Sequence, residues 1–191
     1  VTFHTISQSF AMEDKMKYFI PMIILSFVLL SCAKKDEEKD TTTELEGTWK
    51  TACYTDDDNN SLIFTPTFAG NVLTITDEKH SDTSCATDYR LIEESHTFAM
   101  GDEGKVTITL GSTFKRTPQS DSAVSSYNTN NKCDATGWEK NTAKTCSFGE
   151  DAGTTVYCLY AISGTTLYME CNNSVQPTSI TIDAGNTFTK Q

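Results

Sequence analysis

The segment Val156-Tyr157-Cys158-Leu159-Tyr160-Ala161-Ile162-Ser163-Gly164-Thr165-Thr166-Leu167-Tyr168-Met169-Glu170-Cys171 has the pattern of a β-hairpin. Apolar and aromatic residues alternate along both arms, and Gly164-Thr165 places glycine first, as a type II′ turn requires. In that register Cys158 lies opposite Cys171, on the same face as the apolar residues. A shift of one residue would move those residues to the other face and separate the cysteines. The pattern therefore predicts a hairpin with a Cys158–Cys171 disulfide.

Short alternating runs also recur between turn signals elsewhere in the chain, and no window has a sustained helical period. Two more candidate hairpins surround turns that contain glycine, at Ala69-Gly70-Asn71 and at Gly101-Asp102-Glu103-Gly104. Residues 45–191 have the length of one domain. The sequence therefore predicts a single all-β domain.

A secretory signal precedes this domain. Met16-Lys17 is followed by an apolar run from Phe19 to Leu30, and Ser31 stands directly before Cys32. The run is too short for a spanning helix, which needs roughly 20 residues. Its ending, Leu29-Leu30-Ser31-Cys32, resembles the lipobox of bacterial lipoproteins, in which the cysteine becomes the lipid-bearing first residue of the mature chain. We therefore expect lipidation of Cys32.

The signal divides the chain into segments. Residues 1–15 carry acidic residues where a signal has positive charge, so we interpret them as upstream translation and Met16 as the native start. Residues 16–31 form the expected signal peptide. Residues 32–44 are rich in charge and poor in apolar side chains, which predicts a disordered tether between the lipid and the domain of residues 45–191.

The expected location is the bacterial cell envelope, as an outer membrane lipoprotein. Ala33 rather than Asp follows Cys32, and in the common Gram-negative sorting rule this leaves the outer membrane as the destination. Lys35-Asp36-Glu37 resembles the export signal of some Bacteroidota lipoproteins, which implies exposure at the cell surface. The net charge of −11 repels nucleic acid and anionic lipid headgroups, so membrane attachment is expected through the N-terminal lipid alone.

The cysteine count supports an exported domain. Six cysteines remain besides Cys32, and an even number is typical of a disulfide framework. A metal cluster is the alternative reading, but the chain contains no Cys-x-x-Cys pair. We therefore expect three disulfides and no free thiol in the domain.

The alternating pattern is lost between residues 117 and 153, where Ser, Asn, Thr, Asp and Lys dominate. A loop of this length is unusual in a compact domain, and such loops are typically functional or disordered. Cys133 and Cys146 can staple this insert into a compact lobe. That pairing leaves Cys53 and Cys85 as the third disulfide.

Short motifs follow one another in a recognisable order along the domain. Leu45-Glu46-Gly47-Thr48-Trp49 opens it, with Cys53 shortly after. The later landmarks are Phe68-x-Gly70, Asp82-Thr83-Ser84-Cys85, Gly164-Thr165-Thr166-Leu167-Tyr168, Pro177-Thr178-Ser179-Ile180 and Thr187-Phe188-Thr189-Lys190-Gln191. In order and spacing they resemble small bacterial lipocalin-like lipoproteins, which begin with a Gly-x-Trp strand. The resemblance covers nearly the whole mature domain.

The resemblance implies an antiparallel up-and-down β-barrel of about eight strands. It implies that Gly47 and Trp49 plug one end of the barrel, and it supports the Cys53–Cys85 bond. The function of this family is largely uncharacterised, so the resemblance implies a shape rather than an activity.

One feature departs from the lipocalin pattern. Lipocalins place an arginine of the last strand over the tryptophan at the barrel end, but no arginine follows Arg116 in this chain. We expect Arg90 or Arg116 to take that place.

The sequence offers no catalytic constellation and no metal site. Residues 56–60 alternate acidic and amide oxygens as a calcium loop does, but Ser61 stands where the sharp-turn glycine belongs and no later carboxylate follows. The histidines are too few and too scattered to bind a metal. An even disulfide framework also leaves no cysteine nucleophile. We therefore expect a protein that is not an enzyme and uses no cofactor.

The expected function is that of a lipid-anchored, non-enzymatic binding module, which holds a small apolar ligand in the barrel or binds a protein partner. Trp138, Tyr160 and Met169 are the candidate contacts, and we expect a monomer. The alternative is a structural or inhibitory surface lipoprotein with a solid barrel, which acts through the lobe of residues 117–153. Inward residues of an eight-stranded barrel either fill the core or line one small pocket, so both readings are compatible with the fold.

The lipoprotein signal makes a direct prediction. A Cys32→Ala variant expressed in a bacterial host should lose all incorporation of labelled palmitate, because the acyl chains are attached at this cysteine. Labelling is measured on the immunoprecipitated protein beside the unaltered chain. Label that persists in the variant would contradict lipidation at Cys32.

Overall fold

The computed structural model describes residues 43–57 and 59–191. The expected upstream segment, signal peptide, lipidated Cys32 and most of the tether lie outside the described residues. Within them are eleven strands, one α-helix and two short 3₁₀ turns. The strands are β1 (Gly47–Thr51), β2 (Tyr54–Thr55), β3 (Ser61–Ala69), β4 (Val72–His80), β5 (Asp88–Met100), β6 (Lys105–Thr109), β7 (Thr113–Pro118), β8 (Lys144–Ser147), β9 (Thr155–Ser163), β10 (Thr166–Asn172) and β11 (Thr187–Lys190). The helix is α1 (Asp121–Thr129), and the 3₁₀ turns are Lys132–Asp134 and Gly149–Asp151.

Eight of the strands close into an antiparallel barrel. Their order around the barrel is β1, β3, β4, β5, β6, β9, β10 and β11, and β11 pairs again with β1. Apart from the short β2 and the pair β7–β8, each strand neighbours the next one in the chain. The predicted all-β, up-and-down barrel of about eight strands is therefore confirmed.

The hairpin predicted over residues 156–171 forms with the expected register. Cys158 is opposite Cys171, and Tyr160 is opposite Met169. Gly164 has a φ of +61°, and the following Thr165 is not among the residues with positive φ, as a type II′ turn requires. The burial of alternate residues on both arms confirms that one face points into the barrel.

The barrel interior is filled by side chains from all of its strands. Thirteen buried residues form one contiguous core: Leu45, Trp49, Phe68, Leu73, Phe98, Val106, Ile108, Val156, Cys158, Tyr160, Leu167, Met169 and Phe188. Phe68 and Phe98 meet edge to face with ring centres 5.2 Å apart, a geometry that aromatic pairs prefer. Burying each large apolar side chain contributes roughly 1.5–3 kcal/mol, so this core is the main source of stability.

The polar insert begins and ends at two neighbouring barrel strands. The amide of Leu110 donates to the carbonyl of Thr154 over 2.9 Å, and the amide of Gly153 donates to the carbonyl of Leu110 over 3.0 Å. These bonds continue the ladder between β6 and β9. Residues 112–152, named the lobe below, are therefore an insertion into what would otherwise be a hairpin.

The lobe has regular structure where the sequence predicts a loop without pattern. Helix α1 begins at the N-cap Ser120, whose hydroxyl accepts a bond from the amide of Ala123 over 3.1 Å. Ala123 and Tyr127 are buried one turn apart on its inner face. Ser120 as the N-cap, followed by apolar residues at helical spacing, is the sequence signal for this helix, although the segment as a whole is polar.

Strand β5 is shared between the barrel and the lobe. Its end from Thr97 to Met100 pairs with β6, whereas its first half from Arg90 to Glu94 pairs with β7. The chain changes from one pairing to the other at Gly111, whose amide donates to Nδ1 of His96 over 3.1 Å. A Cβ atom on Gly111 would collide with the backbone carbonyl oxygen of Ser95, so this crossing depends on glycine.

The described residues form three disulfides, and they have the predicted pairing: Cys53–Cys85, Cys133–Cys146 and Cys158–Cys171. The first joins the segment after β1 to the loop between β4 and β5. The second ties the 3₁₀ turn Lys132–Asp134 to β8 inside the lobe, and the third crosses the β9–β10 hairpin. A loop of about 15 residues closed in this way stabilises a fold by about 3 kcal/mol in the chain-entropy account.

The crossing at Gly111 leads to a stability prediction. Gly111→Ala should lower the free energy of unfolding by roughly 1–3 kcal/mol, because the new methyl group displaces the backbone of β5. Urea denaturation followed by circular dichroism measures the effect. Gly101→Ala is the matched control, because its Cβ meets only the side chain and backbone of Lys105, at 3.3 Å and beyond. Equal stability of the two variants would contradict the close approach.

Candidate functional site

Trp49 on β1 belongs to the barrel core and is 1% exposed. Its indole Nε1 donates to the carbonyl of Leu45 over 2.8 Å, so the one polar atom of the ring is satisfied. Gly47 has a φ of +112°, which favours glycine, and a Cβ there would meet Cε of Lys190 at 3.3 Å. That Gly47 and Trp49 plug one end of the barrel stays a prediction from the resemblance.

The cation over the tryptophan is not an arginine. Nζ of Lys190, on the last strand, lies 5.1 Å from the ring centre of Trp49 and is directly opposite it in the β1–β11 register. The expectation that Arg90 or Arg116 takes this place is wrong. Both arginines line a pocket beside the lobe, where Arg90 pairs with Asp77 and Arg116 lies against Phe114 and Tyr127.

Two of the three predicted contact residues belong to the barrel core. Met169 is 8% exposed, and Tyr160 is 7% exposed. The hydroxyl of Tyr160 donates to Oε1 of Glu44 over 2.6 Å. Burial, together with this bond and the charge of Glu44, raises the pKa of Tyr160. The two side chains therefore fill space and anchor the segment before β1.

The third predicted contact, Trp138, is the centre of the lobe and is 2% exposed. Its backbone amide donates to Oδ1 of Asn128 over 2.8 Å, and its carbonyl accepts from Nδ2 of Asn128 over 3.1 Å. Its ring meets Tyr127 edge to face at 5.1 Å, beside the Cys133–Cys146 bond. Trp138 thus builds the small core that holds α1 against β7 and β8.

A pocket of about 250 Å³ lies where the lobe meets strands β4 and β5. Its walls come from five separate elements of the fold. The lining residues are Lys79, Tyr89, Arg90, Arg116, Ser126, Tyr127, Asn130 and Lys132. No carboxylate is among the described residues that line it, although the chain has a net charge of −11.

The two arginines of the pocket are held in place by contacts with neighbouring side chains. Nη1 of Arg90 donates to Oδ2 of Asp77 over 2.9 Å, and both side chains are largely shielded from solvent. The guanidinium carbon of Arg116 lies 5.5 Å from the ring centre of Phe114 and 5.6 Å from that of Tyr127. Such stacking fixes the plane of a guanidinium group and leaves its edge free for hydrogen bonds.

The positive charges act on one another across the pocket. The charge of Arg116 lowers the pKa of Lys132, burial lowers it further, and Arg90 adds a third contribution. On the neighbouring strands Lys79 stands directly opposite Arg90. Like charges at such positions destabilise a sheet, so this grouping is unfavourable for the fold alone.

Sequence reasoning missed this pocket because its cations are far apart in the chain. One signal was present: the chain has two arginines, Arg90 and Arg116, and both line the pocket. Arginine presents a planar fork of donors that matches carboxylate and phosphate groups. That both arginines of the chain lie at this one site is therefore a sign of its possible role.

Residues 56–60, which resemble the start of a calcium loop, have a local structural role. Both carboxylate oxygens of Asp56 accept hydrogen bonds from Asn60, at 2.7 to 3.1 Å, and close the turn before β3. Within the described part of the chain, no three His, Cys, Asp or Glu side chains come together as metal ligands. None of the helices among residues 43–57 and 59–191 is long and apolar enough to cross a bilayer.

No family model matches the chain, and no curated protein matches it. The resemblance to lipocalin-like lipoproteins therefore stays a prediction from the motifs.

The barrel-end geometry makes a second stability prediction. Lys190→Met should lower the free energy of unfolding by about 0.5–1 kcal/mol, because it keeps the aliphatic contact with Gly47 and Trp49 but removes the cation over the ring. For a chain of this size the melting temperature falls by about 1–4 °C, measured by calorimetry. Lys190→Arg is the control and should keep the stability. A loss in Lys190→Arg as large as in Lys190→Met would contradict the cation–π contact.

Proposed function

We propose that this protein is a lipid-anchored, non-enzymatic binding protein of the cell envelope. Its barrel is a solid support, and its ligand is held at the junction of the lobe and the barrel. The observation that carries this proposal is the pocket of about 250 Å³ at that junction, beside a barrel whose interior is filled by side chains.

The packed interior weighs against an apolar ligand inside the barrel. Pockets for such ligands typically have volumes of roughly 300–1,000 Å³ and apolar walls. Tyr160 and Met169, the predicted contacts, are part of the contiguous core. The two pockets described, of about 250 and 290 Å³, are both lined by residues outside that core. These facts favour the alternative reading, in which the lobe is the working part.

The construction of the lobe supports this role. A functional segment inserted between two hydrogen-bonded strands is positioned by the rigid elements on either side of it. The Cys133–Cys146 bond and the Trp138 core give the lobe its own stability. In this proposal membrane attachment comes from the lipid on Cys32, which leaves the surface of the lobe available.

The short edge strands of the sheet support a monomer. The strands at the two ends of the hydrogen-bonded path are β2, of two residues, and β8, of four residues. Such short edges give little opportunity for pairing with a second chain.

Native mass spectrometry of the protein isolated from its own envelope tests the proposal. The full chain should carry an additional bound mass, and a chain with residues 112–152 replaced by a two-residue Gly-Ser turn should lack it. The β6–β9 ladder and the Cys53–Cys85 and Cys158–Cys171 bonds should persist in that variant, which circular dichroism and disulfide mapping check. A bound mass retained without the lobe would place the ligand in the barrel and contradict the proposal.

A further inference from the structure

The short connections of the barrel lie together at one of its ends. They are residues 70–71, 101–104 and 164–165. Hydrogen bonds join them to neighbouring strands of the ring: the amide of Phe98 donates to the carbonyl of Asn71 over 2.9 Å, and the amide of Tyr160 donates to the carbonyl of Gly104 over 2.8 Å. This end of the barrel is named the turn end below.

The long connections lie at the opposite end, because neighbouring strands run antiparallel. They are residues 52–60, 81–87, 110–154 and 173–186, of which the third contains the lobe. The junction pocket belongs to this end as well, because Lys79 is the last but one residue of β4 and Arg90 is the third residue of β5. This end is named the loop end.

The chain enters the domain at the turn end and is fixed there. Oε1 of Glu46 accepts a hydrogen bond from the amide of Gly70 over 2.7 Å. The preceding Leu45 is buried in the barrel core, and Glu44 accepts the bond from the hydroxyl of Tyr160. An anchor that holds the chain before residue 43 therefore acts on the turn end.

The length of chain before this entry point limits which end of the domain reaches a membrane. Ten residues, 33–42, separate Cys32 from Thr43. A flexible chain of this length has a root-mean-square span of about 16–19 Å, and its upper limit is about 33–36 Å. The nine residues of β4 rise by about 20 Å along the barrel axis at the usual strand tilt. An anchor on Cys32 therefore keeps the turn end near the bilayer, whereas the loop end reaches it only if the chain runs back along the whole barrel, at a cost in chain entropy.

Charge also distinguishes the two ends. Outside the lobe, the long connections of the loop end carry five aspartates and no lysine or arginine. At the turn end, Lys105 and Lys190 offset part of the charge of the four acidic residues in segments 43–46 and 101–104. An anionic membrane surface therefore repels the loop end more strongly than the turn end.

We propose that the turn end is the surface of the domain that faces the lipid bilayer, held there by the short chain between Cys32 and Thr43. This inference rests on the lipid anchor of the proposed function and deepens it. The lobe and the junction pocket then open to the aqueous space on the far side of the domain, so the ligand of the pocket reaches it from solution and not from the membrane.

Paramagnetic relaxation of methyl groups in the acylated protein tests this orientation. The protein is isolated from the envelope of a bacterial host with isotope-labelled Met, Val and Ile methyl groups, and its intact mass establishes the acyl chains on Cys32. It is then placed in nanodiscs of phosphatidylcholine and phosphatidylglycerol, in which a small share of the lipids carries a nitroxide at the headgroup. Nanodiscs with the reduced nitroxide give the reference.

Exposed apolar side chains supply probes at both ends. Val72 and Met100 are 39% and 37% exposed at the turn end, and Val175 and Ile182 are 63% and 71% exposed at the loop end. Met100→Leu and Ile182→Val assign two of the signals without a change of charge. The relaxation enhancement falls with the sixth power of the distance from the nitroxide. The enhancement at the two turn-end probes should therefore exceed that at the two loop-end probes by at least about threefold.

A lengthened tether is the matched control. Insertion of about 30 Gly and Ser residues between Asp40 and Thr41 raises the root-mean-square span of the chain to about 32–38 Å, which exceeds the height of the barrel. The domain should then turn more freely, and the ratio of enhancements between the two ends should fall below about twofold. The domain itself is unchanged, so its methyl chemical shifts should stay the same.

Equal or greater enhancement at Val175 and Ile182 in the acylated protein would overturn the orientation. An unchanged ratio after the tether is lengthened would overturn the role of the short chain. Failure of the proposed function gives a different result: a protein whose mass shows no acyl chains would contradict the anchor itself, and the orientation with it. An acylated protein with its loop end at the bilayer contradicts the orientation alone.

Discussion

Pairing of the first barrel strand with the last one is the constraint on which the rest of the structure depends. Only three residue pairs join β1 to β11, with Trp49 opposite Lys190 and Thr51 opposite Phe188. They convert an open sheet into a closed ring, so that β1 and β11 are no longer edge strands. Closure brings the side chains of eight strands into a single core and places the last lysine over the first tryptophan. The strand that carries the Gly-x-Trp segment therefore takes part both in closing the ring and in the cation–π contact with Lys190.

The junction of the barrel and the lobe contains interactions that are unfavourable for folding. Lys79 faces Arg90 on neighbouring strands, and Arg116 and Lys132 stand close by, so like charges repel one another. Buried polar groups without hydrogen-bond partners further lower the stability of this region. Functional sites commonly store such unfavourable features, and the surrounding structure supports them. Here the support comes from the Asp77 ion pair, the stacking of Arg116 between two rings, and the disulfide of the lobe.

The sequence predicts the local structure of this protein better than the contacts between residues that are far apart in the chain. Alternation and the Gly164-Thr165 turn suffice for the register of the β9–β10 hairpin, because a wrong register would expose its apolar face. The helix α1 was missed because its few apolar residues lie among serines and asparagines. The position of Lys190 was missed because the expectation relied on an arginine, whereas the ring attracts either cation. The pocket could not be foreseen, since residues 79, 90, 116 and 132 meet only through strand registers and the insertion point of the lobe.

The order in which the disulfides follow one another along the chain bears on how the protein is made. Cys53 pairs with Cys85, Cys133 with Cys146 and Cys158 with Cys171, so each cysteine of the domain joins its neighbour in sequence. Within the domain of residues 45–191, each cysteine that is oxidised in order of emergence, N-terminus first, meets its correct partner before the next pair becomes accessible. Such a chain needs an oxidant but no reshuffling of bonds between distant cysteines, which is the slow step for frameworks with crossed pairings. Consecutive pairing thus allows the three bonds to form in the order in which the domain is synthesised.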